Sequence, residues 1–145
     1  MDRPKTFEGR LTAWLGAWHP AVIHFPIALT LTVAFLEFAA WFRRNPIYSA
    51  GNKMLLALAT LGALAAAILG WADMGMPTPD NNWIQTTHRW LGTTIPFLLL
   101  LLWRLKKPMA KSKPYAALLI AMAAIILVQA YLGGEITHGA NHMAF

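Results

Sequence analysis

The chain has 145 residues, enough for one domain, with 57% hydrophobic and only 12% charged residues and a mean hydropathy of +0.47. A soluble domain carries about 25% charged residues; half that fraction, arranged in long apolar runs, excludes a soluble globule and reads as an integral membrane protein. The net charge of +6 does not mark a nucleic-acid binder, because eight of the twelve Lys and Arg fall in two short connections between apolar runs. These are Arg43, Arg44 and Lys53 in the first, and Arg104, Lys106, Lys107, Lys111 and Lys113 in the second. Neither contains an acid, which is the pattern of cytoplasmic loops. The chain has no cysteine, so disulfides, thiolate metal sites and covalent c-type haem attachment are excluded.

Residues 1–10 are polar and read as a tail rather than a secretory signal. Leu11, Trp14, Leu15 and Trp18 have the spacing of an interfacial amphipathic helix. The first long helix is expected from Pro20 to Phe42. Pro20 suits its first turn, where a missing N–H costs nothing, and Pro26 is expected to bend it or loosen its start. A second helix, from Met54 to Trp71 or Ala72, is rich in small residues (Ala59, Gly62, Ala63, Ala66, Ala67, Gly70) that permit close approach of a neighbouring helix or a flat cofactor. The segment Asp73 to Asn82 has no base and is expected on the outer side. A third helix, capped by Asn82, runs to Leu105 with Pro96 midway. A fourth runs from Pro114 to Leu132, ended by Gly133-Gly134. Four runs of about 20 residues match the hydrocarbon thickness. Tryptophans at both boundaries, Trp14, Trp18, Trp71, Trp83 and Trp90 outside and Trp41 and Trp103 inside, form aromatic belts.

The expected architecture is therefore all-α: an integral membrane up-down four-helix bundle preceded by a short interfacial helix. Residues 1–19 would be the tail and interfacial helix, 20–134 the bundle and 135–145 an outer tail. With both basic connections inside, both termini face out, which in a bacterium is the periplasmic side of the inner membrane.

All five histidines fall on the outer side of this topology: His19, His24, His88, His138 and His142. In such a bundle the first and third helices run parallel across the core diagonal. His24 lies roughly 6 Å below Pro20 and His88 roughly 9 Å below Asn82 at 1.5 Å per residue. Two imidazoles at similar depth on diagonal helices can ligate one haem b iron from both sides. Arg89 can then reach a propionate as a charge-assisted pair. His19 and His138 form a second pair, for a second haem, a metal ion or hydrogen bonds to propionates. His138 and His142 have i,i+4 spacing, but Gly139 and Asn141 argue against a helix there. Each histidine also has a plainer reading as an interfacial hydrogen bonder, His24 to backbone groups freed by Pro26.

Glu37 is expected to pair with Arg43 and Arg44, and Gln129 to hydrogen-bond between helices. Met74, Met76 and Met143 are soft groups suited to copper, though without a Met-x-x-Met array. No Ser-His-Asp or paired-carboxylate arrangement falls at one depth, so hydrolysis has no candidate machinery.

The stretch His19-Pro20-x-x-x-His24-Phe25-Pro26-Ile27-Ala28-Leu29 resembles the opening motif of a bacterial family of predicted membrane proteins, domain of unknown function twenty-two thirty-one. His88-Arg89-Trp90-Leu91-Gly92 and Leu132-Gly133-Gly134-x-x-x-His138-Gly139 are similar to its other histidine-bearing segments. The resemblance implies about four membrane helices, functional positions at His19, His24, His88 and His138, and an association with electron-transfer proteins. His142 has no counterpart in it. The expected function is that of a b-type cytochrome-like subunit, not an enzyme in its own right, with haem b held by His24 and His88 inside a larger respiratory complex or oligomer. It would exchange electrons with quinol or a cytochrome c and contact membrane lipids. The alternatives are a cofactor-free structural subunit and an outer-face copper or zinc protein.

Overall fold

The computed structural model describes residues 5–80, 82–107 and 112–139, and among them every regular element is helical. Helix α1 spans Phe7–Gly16, α2 His19–Phe42, α3 Asn52–Met74, α4 Trp83–Leu105 and α5 Lys113–His138, with a single 3-10 turn at Pro46–Ser49 between α2 and α3. The Thr6 hydroxyl caps α1 by accepting from Gly9 N at 3.1 Å. Asn82 caps α4 in a full capping box with Gln85, and Ser112 caps α5. Both internal prolines, Pro26 and Pro96, are accommodated without breaking their helices. After Pro26, the Thr30 hydroxyl donates to the Pro26 carbonyl at 2.7 Å.

The four long helices pack in chain order, α2 on α3, α3 on α4, α4 on α5, and α5 closes back on α2, while α1 lies on α3. Gly16 makes that last contact possible: a Cβ there would sit 2.7 Å from Asp73 Cα. Each long helix contributes one inward stripe at alternating three- and four-residue steps. In α3 it runs Asn52, Leu56, Ala59, Ala63, Ala66; in α4, His88, Ile95, Leu99, Leu102; in α5, Tyr115, Leu119, Met122, Ile126. In α2 it is Pro26, Thr30, Val33. This is the knobs-into-holes periodicity of near-parallel helices.

The exterior is as apolar as the core. Phe35, Leu61, Ile68, Phe97 and Ile120 are all more than 60% exposed. A helix apolar on every side needs an apolar surround, and three stretches, Phe7–Phe42, Pro46–Met74 and Lys113–His138, are long and apolar enough to cross a membrane. Helix α4 is not among them. Its 23 residues suffice in length, but its first turns carry Gln85, Thr86, Thr87, His88 and Arg89, so four equally apolar runs are not found.

Two expected boundaries move. Gly133-Gly134 does not end α5, which continues to His138 and stops at Gly139 with φ +88°. The helix therefore extends four residues into the segment expected as a tail. The interfacial helix starts at Phe7, earlier than its apolar spacing suggested, and Phe7, Leu11, Trp14 and Trp18 are exposed along it and just beyond.

Candidate metal centre

At the end of the molecule where α2 and α4 begin, two imidazoles meet. They belong to His19 and His88, with ring centres 6.4 Å apart and planes at 89°. The diagonal pairing across the core is as expected, but the α2 partner is His19, not His24. His24 is exposed. The reason is helical phase. His19 stands seven residues before Pro26 and eleven before Thr30, on the inward stripe of α2; His24, five residues on, is rotated about 140° from His19.

Each ring is seated on a glycine of the neighbouring helix. A Cβ at Gly70 would lie 2.9 Å from His19 Cε1, and one at Gly133 would lie 3.1 Å from His88 Cε1. The helix-interior Gly133 costs about 1 kcal/mol against alanine, and here it leaves room for an imidazole. His19 Nδ1 is 2.8 Å from the Ala66 carbonyl. Donating there fixes the tautomer with Nε2 bare, the usual way a backbone carbonyl orients a metal-binding histidine. Gln129 of α5 reaches α4 over Gly92, where a Cβ would be 2.8 Å from its Nε2. That nitrogen donates to the His88 carbonyl at 3.0 Å and lies 3.4 Å from His88 Nε2, so Gln129 is the interhelical bonder expected. His88 is 9% exposed, and its Nδ1 is buried with no hydrogen-bond partner among the described residues.

Arg89, also buried, does not stand ready at an open edge. It donates to the Met74 carbonyl at 3.2 Å, at the C-terminal end of α3, and lies 5.4 Å over the Trp71 ring. The Trp71 indole in turn donates to Thr93 at 3.0 Å. His138, the last residue of α5, is exposed, and the imidazole that His19 meets is that of His88. His142 and Met143 lie outside the described residues. No group of three or more His, Cys, Asp or Glu able to hold a metal occurs among the described residues.

The ring separation is the one observation here that bears on a shared metal. Two metal–nitrogen bonds of about 2 Å each, with the depth of each ring added, give about 6 Å between ring centres, close to the separation found. The space fits an ion. The cavity, whose lining includes His19, Gly70, Met74, His88, Arg89 and Gln129, is about 30 Å³, room for roughly two waters. A porphyrin does not fit between α2 and α4 in this packing. Sequence reading missed Met74 as a neighbour of the imidazoles and Gly133 as the seat of His88; a small residue one helical turn, four positions, from the polar Gln129 was the available signal.

The opposite end holds a second polar cluster. The Lys106 ammonium is 2.6 Å from Glu37 Oε1 and also bonds the Ser49 hydroxyl. The same oxygen accepts from Ser49 at 2.9 Å, Asn52 at 2.8 Å and Tyr115 at 3.2 Å. Glu37 was expected to pair with Arg43 and Arg44. Both are exposed at the end of α2, whereas Lys106 closes the core stripe of α4.

A family model described as "Predicted membrane protein (DUF2231)" matches residues 16–141. No curated protein and no solved structure matches the chain.

Proposed function

Since the chain belongs to the DUF2231 family of predicted membrane proteins, whose description names no activity, we propose that it is a multi-pass membrane protein holding one copper ion between His19 and His88 for electron transfer. The carrying observation is the ion-sized cavity of about 30 Å³ between two imidazoles whose centres are 6.4 Å apart. The membrane part of the reading is an up-down four-helix bundle with α1 at the interface. The basic connections favour the cytoplasmic side for Lys53 and Lys106, and the histidine end would then face outward from a bacterial inner membrane. Helix α4 would cross in the shelter of α3 and α5, with His88 and Arg89 of its first turns on the core and Thr86 and Thr87 exposed.

Imidazole suits copper in both common oxidation states, and a thioether such as Met74, which lines the cavity, selects the reduced one. Bound copper would supply a one-electron couple. The chain's own residues do the rest. Ala66 holds His19 in one tautomer, Gln129 fixes the backbone at His88, and Gly70 and Gly133 set the distance between the rings. An outward-facing centre suits exchange with quinol or a cytochrome c, within a larger membrane complex.

A second reading keeps haem b. It is favoured by Gly70, Gly92 and Gly133, which would give a macrocycle's edge close approach if α2 and α4 moved apart. One preparation separates the readings. Chain purified from copper- and haem-replete cells is expected to carry about one copper and no absorbance of a b-type haem. His19→Ala and His88→Ala should lose the metal, and His24→Ala should keep it. A sharp reduced α-band lost in the same two variants would establish haem instead. A folded, colourless protein free of metal would leave a cofactor-free structural subunit.

A further inference from the structure

The lysine end carries a second concavity, unrelated to the imidazoles. It has a volume of about 480 Å³ and is lined by Asn45, Pro46, Ile47, Ser49, Ala50, Lys53 and Lys106. That is within the range of small-molecule sites, roughly 300–1,000 Å³. One wall is apolar, from Pro46, Ile47 and Ala50. The charged groups are Lys53 and Lys106.

Three features give it an electrostatic sign. First, Glu37 is the only acid at this end among the described residues, and its Oε1 is already committed to Lys106, Ser49, Asn52 and Tyr115. Lys53 therefore brings an uncancelled positive charge to the lining, and the exposed Arg43, Arg44, Arg104 and Lys107 add more at this end of the molecule. Second, Lys53 is exposed yet fixed, its ammonium 5.3 Å over the Trp103 ring. A cation–π contact holds the charge without neutralising it. Third, Arg44 takes φ 52° at the end of α2. Glycine or asparagine is favoured in that left-handed conformation, and an arginine there keeps a cation on the backbone next to the Asn45 wall.

We propose that this pocket binds a phosphate group, presented by an anionic phospholipid whose headgroup meets Lys53 while its glycerol backbone rests on Pro46, Ile47 and Ala50. The depth is right on the membrane reading above, on which this inference rests. Trp41 and Trp103 mark the bilayer boundary at this end, where basic pockets between membrane helices take acidic headgroups. The inference does not rest on the metal.

The test uses the full chain in neutral detergent, with lipid binding followed by native mass spectrometry. Phosphatidylglycerol is expected to bind and phosphatidylcholine not to. Lys53→Ala should weaken phosphatidylglycerol binding about five-fold, the effect of one cation near a headgroup. Ala50→Trp, which fills the pocket and leaves every charge in place, should abolish it. Competition by millimolar inorganic phosphate would make free phosphate an alternative occupant of the same site; no competition would make the lipid the ligand. Equal binding of phosphatidylcholine, or undiminished phosphatidylglycerol binding in Ala50→Trp, would overturn the proposal. His19→Ala and His88→Ala should bind lipid normally, so failure of the metal reading and failure of this one are distinguishable.

Discussion

The two ends of the core are built from the same four stripes but finished differently. At the lysine end the stripes terminate in Glu37, Asn52, Lys106 and Tyr115, whose side chains bond one another. At the histidine end, roughly 27 Å away at 1.5 Å per residue, the same stripes reach His19, Gly70, His88 and Gly133. There the side chains face a small cavity, and a buried nitrogen of the His88 imidazole is left without a partner among the described residues. An unpaired buried polar atom costs about 1–3 kcal/mol. A helical protein can close an end with an ion pair, as this one does at Glu37; the open histidine end is what the proposed metal would fill. The contrast has one blemish, since Asn52 Oδ1 is also buried without a partner among the described residues, but Asn52 donates through its other amide atom.

If the lysine end is a structural clasp, removing one member should cost the most stability of any change considered. Lys106→Met strands the Glu37 carboxylate, and breaking such a pair costs about 3–5 kcal/mol when fully buried. With the two side chains 8% and 19% exposed, the lower value, about 3 kcal/mol, is expected in the unfolding midpoint in detergent. Metal content should not change. The double variant Glu37→Leu with Lys106→Met should recover only part of the loss, because Ser49, Asn52 and Tyr115 then lack their acceptor.

At the histidine end the signs should reverse, with binding lost and stability barely moved. In Gly70→Ala, overpacking costs about 1–3 kcal/mol, partly offset by about 1 kcal/mol from helix propensity. His19 must shift to admit a Cβ 2.9 Å from its Cε1, so metal affinity should collapse while the melting transition stays within a few degrees. Gln129→Met is milder. It removes one hydrogen bond, worth about 1 kcal/mol, and a support of the His88 segment, expected to reduce metal affinity about ten-fold. An unchanged metal titration in both variants would remove the site.

How much of this was legible beforehand follows from particular residues. The helices, the Asn82 cap and the diagonal meeting of two histidines were readable, because apolar run length, capping chemistry and up-down connectivity are local properties. The α2 histidine that meets His88 was missed because the depth of His24 was considered and its phase was not. Stepping back from Val33 and Thr30 through Pro26 by threes and fours reaches His19 and passes over His24. Gly133-Gly134 was taken for a helix stop because glycine is a good C-cap residue; the contact with His88 that keeps it helical is tertiary. Lys106 was hidden for the same reason, being the last stripe position of α4 at the edge of a basic connection.

The smallest expected effect is the most discriminating. His24 is a histidine of the opening motif, one turn from His19 in sequence, and a reading based on motif alone treats the two alike. The packing does not. His24 is exposed on α2, outside the cavity, so His24→Ala should change stability by no more than about 0.5 kcal/mol, as for an isolated surface side chain. It should leave metal stoichiometry and affinity untouched. His19→Ala should likewise barely alter folding of the metal-free protein, since it removes a half-buried side chain and one contact with Ala66, but it should abolish metal binding. If the two alanine variants lose metal equally, α2 must be able to rotate by about 140° or to donate from both faces, and the single-stripe account of the core would fail along with the site built on it.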